Sequence, residues 1–234
     1  MPSLDQLISG YAQELEVDFF GVADLAPAHA AVLEQGGPAL ARFPRAISLG
    51  IALLNPIVDQ LPQRADPAVA MNYRHHAYDV INLRLDELAS RLASRLRRLG
   101  HAALPVPASR RADDVRLRGI FSHKLAAHLA GLGWIGKSCL LVTPQVGPRV
   151  RWASVLTDAP LAPTGSAMDE RCGDCQLCVD TCPVGAFSGR AFDPAEPREA
   201  RFDVFKCKRY FDELEAAGRL PVCGMCLYVC PHGR

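Results

Sequence analysis

The stretch Cys172–Pro183, "CGDCQLCVDTCP", decides how the last part of the chain folds. Its four cysteines follow the spacing C-x2-C-x2-C-x3-C, and a proline follows the last one. This is the spacing of bacterial ferredoxins with two 4Fe–4S clusters, in which the fourth cysteine ligates the other cluster. A structural zinc site prefers two separated C-x2-C pairs. The evenly spaced cysteines therefore favour iron–sulfur clusters over zinc.

A second run, "CGMCLYVCP" (Cys223–Pro231), repeats the last three cysteines of this pattern, and Leu220 stands where the first would be. Cys207 supplies the missing ligand if a helix, predicted over 209–217, separates it from the run. We therefore predict two 4Fe–4S clusters. The ligands of the first are Cys172, Cys175, Cys178 and Cys230. The ligands of the second are Cys182, Cys207, Cys223 and Cys226. The ninth cysteine, Cys139, is predicted to be a small buried residue.

The distribution of the cysteines also predicts where the protein works. Eight of the nine lie after residue 170, whereas a secreted disulfide scaffold would spread them and need an export signal. The sequence has no apolar run of 18 residues, and its N-terminus carries acidic residues early, so we expect neither a membrane span nor a signal peptide. A net charge of +1 argues against a strongly basic nucleic-acid binder. We expect a cytoplasmic protein.

The proline-rich segment 158–166, "DAPLAPTGS", separates two compositions. Before it, stretches with helical and strand periodicity alternate, which predicts a layered fold of helices and strands. After it come cysteines and short polar turns, which metal must stabilise. We predict an α+β protein with a domain over 1–165 and a ferredoxin-like domain over 166–234. The predicted helices cover 3–15 with a Ser3–Gln6 capping box, 79–99 and 122–130 with Ser122 as the cap.

A glycine-rich turn follows the helix predicted over 122–130. Gly131, Gly133 and Gly136 would let the backbone approach a ligand closely or let the helix end in a sharp turn. A dinucleotide-binding fingerprint should precede its helix, so this order excludes it. From these residues alone, a ligand-binding turn and a purely structural turn both remain open.

Several stretches, taken together and in order, resemble the epoxyqueuosine reductase family and its short relatives. These stretches are "YRHHAYDVINLRLDELA" (73–89), "AGLGWIGK" (130–137), "LLVTP" with "GPR" (140–149), "TDAPL" (157–161) and the two cysteine runs. The resemblance implies a nitroreductase-like first domain that binds cobalamin, and a double-cluster module that supplies it with electrons. The family's reaction removes an epoxide oxygen from a modified tRNA base, and the reductive dehalogenases are more distant relatives with the same cofactors.

The resemblance also implies which residues contact the corrinoid. They are Tyr73, Gly131, Gly133, Trp134, Ile135, Gly136, Lys137 and Ser138. A wide, flat macrocycle needs close backbone approach and a dry apolar wall. Trp134 is the candidate for that wall, with a place in the core as its alternative. A flavin in the same pocket is the alternative cofactor.

The sequence departs from the family at the proton donor. The family carries an aspartate shortly before the glycine-rich turn, whereas the matching stretch 116–124, "RLRGIFSHK", has no carboxylate. His123 and Lys124 are the candidate catalytic residues there, because a histidine can donate a proton near neutral pH. The alternative is that these two side chains only hold the end of the helix.

The family's longer members carry C-terminal helical repeats that help to hold tRNA. This sequence has no counterpart of them and no basic tail, so we expect a small-molecule substrate, with the tRNA reaction of the epoxyqueuosine reductases kept as the alternative. The predicted protein is an iron–sulfur oxidoreductase that takes electrons from an external flavodoxin- or ferredoxin-type donor and passes them to a bound corrinoid. The alternative is an accessory protein that reduces the corrinoid of a partner protein and turns over no substrate itself.

Overall fold

The computed structural model describes residues 2–233. The backbone contacts divide the chain into two compact units, and each is assembled from separate stretches of sequence. The first unit comprises the residues up to Ile51, Ile81–Gly133 and Arg151–Met168. The second unit comprises Ala52–Val80, Trp134–Val150 and the residues from Asp169 onward. The predicted boundary between 165 and 166 lies three residues before the point where the chain leaves the first unit for the last time, between Met168 and Asp169. The prediction was linear, however, and did not include the two earlier stretches of the second unit.

The secondary structure mixes helices and strands, as predicted. The strands are β1 (Phe19–Asp24), β2 (Arg45–Ala52), β3 (Ala103–Val106), β4 (Trp134–Ile135), β5 (Leu141–Val142) and β6 (Val150–Thr157). The α-helices are α1 (Leu4–Glu14), α2 (His29–Gly36), α3 (Pro38–Ala41), α4 (Asn55–Val58), α5 (Pro67–Arg74), α6 (Ile81–Arg98), α7 (His123–Leu129), α8 (Leu177–Asp180), α9 (Val204–Ala216) and α10 (Met225–Tyr228). A π-helix (His75–Val80) joins α5 to α6, and short 3-10 helices cover Ala26–Ala28, Leu61–Gln63, Arg198–Ala200 and Pro231–Gly233.

The first unit is built on a four-stranded sheet with the order β1-β2-β6-β3. β1 and β2 are antiparallel, with Phe19 opposite Gly50, and β3 and β6 are antiparallel, with Ala103 opposite Thr157. The interior strands β2 and β6 are almost continuously buried, which explains their long apolar runs. The sheet and the helices around it share a core that includes Val32, Phe43, Val106 and Leu156.

Most of the predicted helices of the first unit form, with shifted ends. The capping box at α1 is present, because Ser3 Oγ accepts from Gln6 N at 3.2 Å and Gln6 Oε1 accepts from Ser3 N at 2.9 Å. α6 buries one leucine stripe and leaves its arginines outside it. α7 ends before Gly131, whose φ of +76° favours glycine. Ser122 occupies the N-cap position of α7, as predicted, but its side chain makes no capping hydrogen bond.

The second unit consists of short elements. β4 and β5 form a two-stranded antiparallel ladder in which Trp134 lies opposite Val142. α9 is its longest α-helix among the described residues; it begins five residues before the predicted start and contains Cys207. Asp203 caps α9, because its Oδ1 accepts from Phe205 N at 3.0 Å and from Lys206 N at 3.1 Å. Within the span 2–233, no helix combines the length and the apolar character needed to cross a bilayer.

Candidate iron–sulfur site

One group of thiols in the second unit joins three cysteines around α8 to Cys230, which follows α10. The local turn that begins this group is closed by a hydrogen bond from Cys175 N to Cys172 O at 3.0 Å. Burial, followed by the charges of Cys172, Cys230 and Cys175, raises the pKa of Cys178 to about 11. The four sulfur atoms are therefore close enough to repel one another as thiolates. They are the four predicted for the first cluster.

The other group brings together Cys182, Cys207, Cys223 and Cys226. Burial, followed by the charges of Cys223 and Cys182, raises the pKa of Cys207 to about 11. The same combination of burial and neighbouring thiolates, from Cys223, Cys207 and Cys182, also raises the pKa of Cys226. Cys178 has a smaller effect on Cys226, so the two groups adjoin each other. Cys207 reaches its group because α9 carries it there from outside the second cysteine run.

The chemistry of these donors fits two iron–sulfur clusters. A coordinating thiol is deprotonated by its metal, so bound iron would relieve the repulsion that raises the thiol pKa values. Eight of the nine cysteines are partly exposed free thiols. Across residues 2–233, no three His, Cys, Asp or Glu side chains meet closely enough to share a single metal ion. The division of ligands between the two clusters stays a prediction.

Cys139 belongs to neither group. It is only 4% exposed and has a φ of +56° in the turn between β4 and β5. The prediction of a small buried residue is confirmed for Cys139. Because it lies outside both groups, its replacement is a control for replacements of the eight partly exposed cysteines.

The turn that follows β4 packs onto the first group of thiols. A Cβ atom on Gly136 would lie 2.9 Å from Val142 Cγ2 and 3.3 Å from Cys172 Sγ, so the backbone approaches the cysteine closely here. Lys137 Nζ donates to Gly173 O at 2.6 Å and to Cys175 O at 3.3 Å. This ammonium group therefore holds the loop that carries the first two cysteines of the group.

Trp134 is enclosed in the same region. It is 1% exposed, its ring lies edge-on to that of His232 at 4.9 Å, and the Arg171 guanidinium lies 5.6 Å from its ring centre. Among the described residues, the buried indole Nε1 makes no complete hydrogen bond. It points instead toward the Cys172 thiol, whose pKa it lowers against the larger raising effects of burial and Glu170. Of the two alternatives for Trp134, a wall of the corrinoid site or a core residue, its burial favours the core residue.

Protein atoms already cover most of the residues that were predicted to contact a corrinoid. Seven of the eight are buried, and Gly131 is half-buried. Tyr73 is 3% exposed, and its hydroxyl would lie 3.3 Å from a Cβ atom on Gly224. Residues 134–138 in particular leave little surface for a macrocycle to cover. The burial of these residues gives the predicted corrinoid contacts no support.

The two predicted catalytic residues lie in the first unit, at the start of α7. His123 Nδ1 is 2.9 Å from Ser154 Oγ, and its Nε2 is 3.0 Å from Pro107 O. Desolvation lowers the pKa of His123 to about 4, against a smaller raising effect of the Pro107 carbonyl. Lys124 is half-buried beside it. At neutral pH this histidine is uncharged and both of its ring nitrogens are engaged, which favours the alternative in which it holds the helix start.

Arg149 is one of the buried charged residues that the sequence reasoning missed. Its side chain is 1% exposed, its Nη1 donates to Asn55 Oδ1 at 2.7 Å, and its Nη2 lies 2.8 Å from Asp59 Oδ1. A Cβ atom on Gly233 would lie 3.0 Å from its Nε, so the guanidinium packs against the residues that follow Cys230. In the sequence it appeared only as the last letter of "GPR", and no local spacing indicated its burial.

A cavity of about 450 Å³ lies elsewhere, in the first unit between α6, β3 and the end of α3. Arg42, Arg97 and His101 are among its lining residues. It contains none of the predicted site residues.

Comparison with a family model identifies a "4Fe-4S double cluster binding domain" at residues 171–233. An epoxyqueuosine reductase of Listeria monocytogenes is 34% identical over 53% of this chain and 34% of its own length. One from Pseudomonas aeruginosa is 28% identical over 94% of this chain and 60% of its own length. The chain therefore spans less than two thirds of either relative.

Two solved structures are similar in fold. A reductive dehalogenase, described with a mechanism for B12-dependent dehalogenation, matches with a TM-score of 0.71 and 22% identity over 97% of this chain and 31% of that chain. An epoxyqueuosine reductase, crystallised with an epoxyqueuosine-modified tRNA-Tyr stem loop, matches with a TM-score of 0.59 and 20% identity over 98% of this chain and 65% of that chain. At these identities the likeness concerns the fold alone.

Proposed function

We propose a function from the confirmed resemblance of this chain to the epoxyqueuosine reductases. We propose that the protein is an iron–sulfur oxidoreductase, that it carries two 4Fe–4S clusters on eight cysteines, and that it passes their electrons to a bound acceptor. The proposed compartment is the cytoplasm, where thiols stay reduced.

The grouping of the eight thiols carries this proposal. Four cysteines that adjoin four others give two one-electron carriers side by side, which is the arrangement of a two-cluster ferredoxin. The matched double-cluster domain covers 171–233, and it contains all eight cysteines. The chain also contains a complete sheet-based unit that a ferredoxin does not need. That unit supports a reductase over a simple electron carrier.

A corrinoid is the acceptor that we propose, in a nitroreductase-like first domain. Support comes from the fold that this chain shares with a reductive dehalogenase described as B12-dependent. When bound, a corrinoid supplies a cobalt centre that can be reduced and can attack an electrophilic carbon. Because residues 134–138 are already covered by protein, we derive no contact between them and the corrinoid. A flavin is the alternative to test.

The proposed substrate is a small molecule, and the proposed electron source is an external donor of the flavodoxin or ferredoxin type. A tRNA substrate has its own support, because one structural neighbour was crystallised with a modified tRNA stem loop. A net charge of +1 supports the small molecule. The two substrates are separated by adding an epoxyqueuosine-containing stem loop to the reduced protein and measuring queuosine formation.

The geometry of His123 favours a second function. Both of its ring nitrogens are engaged by Ser154 and Pro107, and its pKa is lowered to about 4, so at neutral pH it is not the acidic imidazolium that a proton donor needs. An accessory protein that reduces the corrinoid of a partner needs no substrate proton donor. Reduction of a partner's corrinoid without turnover of any substrate would support this second function.

Iron analysis tests the clusters. Anaerobically reconstituted protein is expected to hold about eight iron atoms per chain, four in each cluster. The Cys207→Ala variant should lose about half of that iron, because Cys207 lies in the second group. Cys139→Ala is the matched control and should keep all of it, since Cys139 is buried outside both groups. Stoichiometric zinc, or full iron in Cys207→Ala, would contradict the proposed ligands.

Optical spectroscopy tests the acceptor. Hydroxocobalamin is added to the cluster-loaded protein under anaerobic conditions, the protein is desalted, and spectra are recorded before and after a low-potential reductant is added. Retained cobalamin whose spectrum changes on reduction supports the corrinoid. If the wash removes all of it, the corrinoid proposal fails and the same experiment is repeated with a flavin.

A further inference from the structure

The cavity of about 450 Å³ between α6 and β3 carries an unusual set of polar groups for a part of the chain that has no assigned role. Two guanidinium groups, one imidazole and two serine hydroxyls line it, from Arg42, Arg97, His101, Ser90 and Ser94. Within residues 2–233, no Asp or Glu is part of its lining. All of these residues belong to the first unit, so the cavity does not depend on the proposed clusters.

One face of α6 keeps this space open. The residues of that face are spaced at i, i+3, i+4 and i+7, and they are Ser90, Ala93, Ser94 and Arg97. The first three have small side chains, which leave room between the helix and β3. Arg97 follows them in the last turn of the helix, so its guanidinium is placed at one end of the open space.

The two arginines of the cavity are not neutralised by other side chains. Among residues 2–233, neither Arg42 nor Arg97 has an ion-pair partner. The Arg42 guanidinium lies 4.8 Å from the ring centre of Phe43, and this cation–π contact holds it beside the cavity. The contact uses none of its N–H groups as hydrogen-bond donors, so they remain available to an anion.

An acidic side chain and a helix end oppose these positive charges. Asp158 lies 3.9 Å from His101 Nδ1, but its side chain is 53% exposed and its Oδ1 accepts from Ala102 N at 2.8 Å. The C-terminal end of α6 carries a partial negative charge, and Arg95 and Arg98 in the same last turn offset it. The cavity therefore keeps a positive surrounding.

Two further carboxylates of neighbouring residues are already paired. Asp24, which precedes the residues of β1 that end beside the cavity floor, lies 2.9 Å from the Arg45 guanidinium. Glu87, one turn before Ser90 on α6, lies 3.7 Å from the Arg91 guanidinium and is exposed. Neither carboxylate is left to neutralise the arginines of the cavity.

A smaller cavity, of about 200 Å³, adjoins the first, because Arg42 and Phe43 line both. Apart from Arg42 and a histidine, its lining is apolar and includes Leu25, Val32 and Pro44. Leu25, Val32 and Phe43 are at most 4% exposed and belong to the core of the first unit. A cationic compartment thus lies next to an apolar one.

We propose that the two cavities bind a small organic phosphate, with its phosphate group between Arg42 and Arg97 and its organic part over Phe43. A phosphate monoester carries a charge of about −2 at neutral pH, which two guanidinium groups match. It also offers three acceptor oxygens to the guanidinium and serine donors, whereas a carboxylate offers two. The larger cavity is within the range of about 300–1,000 Å³ that is usual for small-molecule sites.

Binding of phenyl phosphate to the cluster-loaded protein, measured anaerobically by isothermal titration calorimetry, tests the site. Phenyl phosphate joins a phosphate to an apolar ring, so it should bind more tightly than inorganic phosphate and more tightly than phenol. Arg97→Met should weaken its binding about tenfold, because a charge-assisted hydrogen bond is lost. Arg98→Met is the matched control, since Arg98 lies in the same turn but outside the cavity lining. It should change the affinity less than about twofold.

Ser94→Leu is the second variant, because it fills the cavity without changing any charge, and it should also weaken the binding of phenyl phosphate. Thermal unfolding shows which variants are folded, and if Ser94→Leu is not, the two arginine variants decide alone. The inference is overturned if phenyl phosphate shows no saturable binding, if Arg97→Met and Arg98→Met weaken it equally, or if a folded Ser94→Leu binds it like the wild type.

An RNA stem loop supplies phosphate groups from another source and is titrated in parallel. If the stem loop binds, if Arg97→Met weakens that binding and if phenyl phosphate does not bind, the arginines contact a nucleic-acid backbone and the inference of a small organic phosphate is wrong. Phenyl phosphate binding that the stem loop does not displace supports the inference.

Discussion

The geometry of His123 favours a structural role for this residue over proton transfer. Its ring lies between a serine hydroxyl and a backbone carbonyl, at 2.9 Å and 3.0 Å. Desolvation then disfavours the charged ring and lowers its pKa to about 4. The stretch 116–124 has no carboxylate, and the surroundings of His123 favour a structural role for it over proton donation.

A pH dependence of stability follows at this residue. The pKa of His123 is about 4 in the folded chain and about 6.5 in an unfolded one, so between these values the unfolded state binds more protons. The stability contributed by the neutral ring is therefore present above about pH 6.5 and is lost as the pH falls toward 4. We expect His123→Gln to be less stable than the wild type at about pH 7.5, and to lose less stability on acidification to about pH 5.

Urea unfolding of the two proteins at both pH values, under anaerobic conditions, measures this difference. Glutamine keeps one donor and one acceptor and does not ionise, so other titrating groups affect both proteins alike. Parallel losses of stability in wild type and variant would show that the ring is not held neutral.

The cysteines and the residues that surround them differ in how far sequence predicts them. Three ligands of the first cluster follow one another within seven residues, so local spacing alone groups them. Trp134, Lys137 and Arg149 are contributed from far along the chain, and their roles depend on which loop packs on which. Trp134 could thus be predicted as a candidate wall or core residue, but its approach to Cys172 could not be predicted.

At the scale of elements, the N-cap residue Asp203 determines where α9 begins. The sequence interpretation began this helix at 209 and left Cys207 before it, whereas the helix begins at Val204. The missed signal was Asp203, whose carboxylate accepts from two free backbone N–H groups of the first turn. Because Cys207 lies in the first turns of α9, the cap also orients a predicted cluster ligand.

Loss of this cap should weaken the second cluster. We expect Asp203→Ala to cost about 1 kcal/mol of stability and to slow the reconstitution of the second cluster. Ser3→Ala is the matched control, since it removes a cap of similar worth from α1, a helix without cysteines. Iron content during anaerobic reconstitution, compared with thermal unfolding, separates the two effects. Equal iron uptake in both variants would mean that the cap contributes stability without orienting Cys207.

At the scale of the molecule, the sequence predicts two consecutive domains, whereas each compact unit of the structure is assembled from three separate stretches of chain. The change of composition near residue 165 lies three residues before Met168, where the last stretch of the first unit ends. Ala52–Val80 and Trp134–Val150 also belong to that unit, although their composition matches that of the first. Apolar periodicity predicts that one face of a segment is buried, but it does not predict whether that face packs in the first unit or in the second. Contacts such as that of Lys137 with Gly173 are long-range in sequence and leave no local signature.

Hydrogen exchange should reveal the same division. Metal binding supplies much of the folding free energy of a small cysteine-rich module, so cluster loading should raise protection wherever chain packs on the ligands. We expect protection to rise in 169–233 and equally in 134–150, where Lys137 bonds to the carbonyls of Gly173 and Cys175 and Arg149 packs against Gly233. It should change little in 151–157, which directly follows 134–150 in sequence but pairs with β3 in the first unit. Peptide-resolved exchange of apo- and cluster-loaded protein makes this comparison. If 134–150 exchanged like 151–157 and gained no protection from cluster loading, the stretch would not be packed on the cluster ligands.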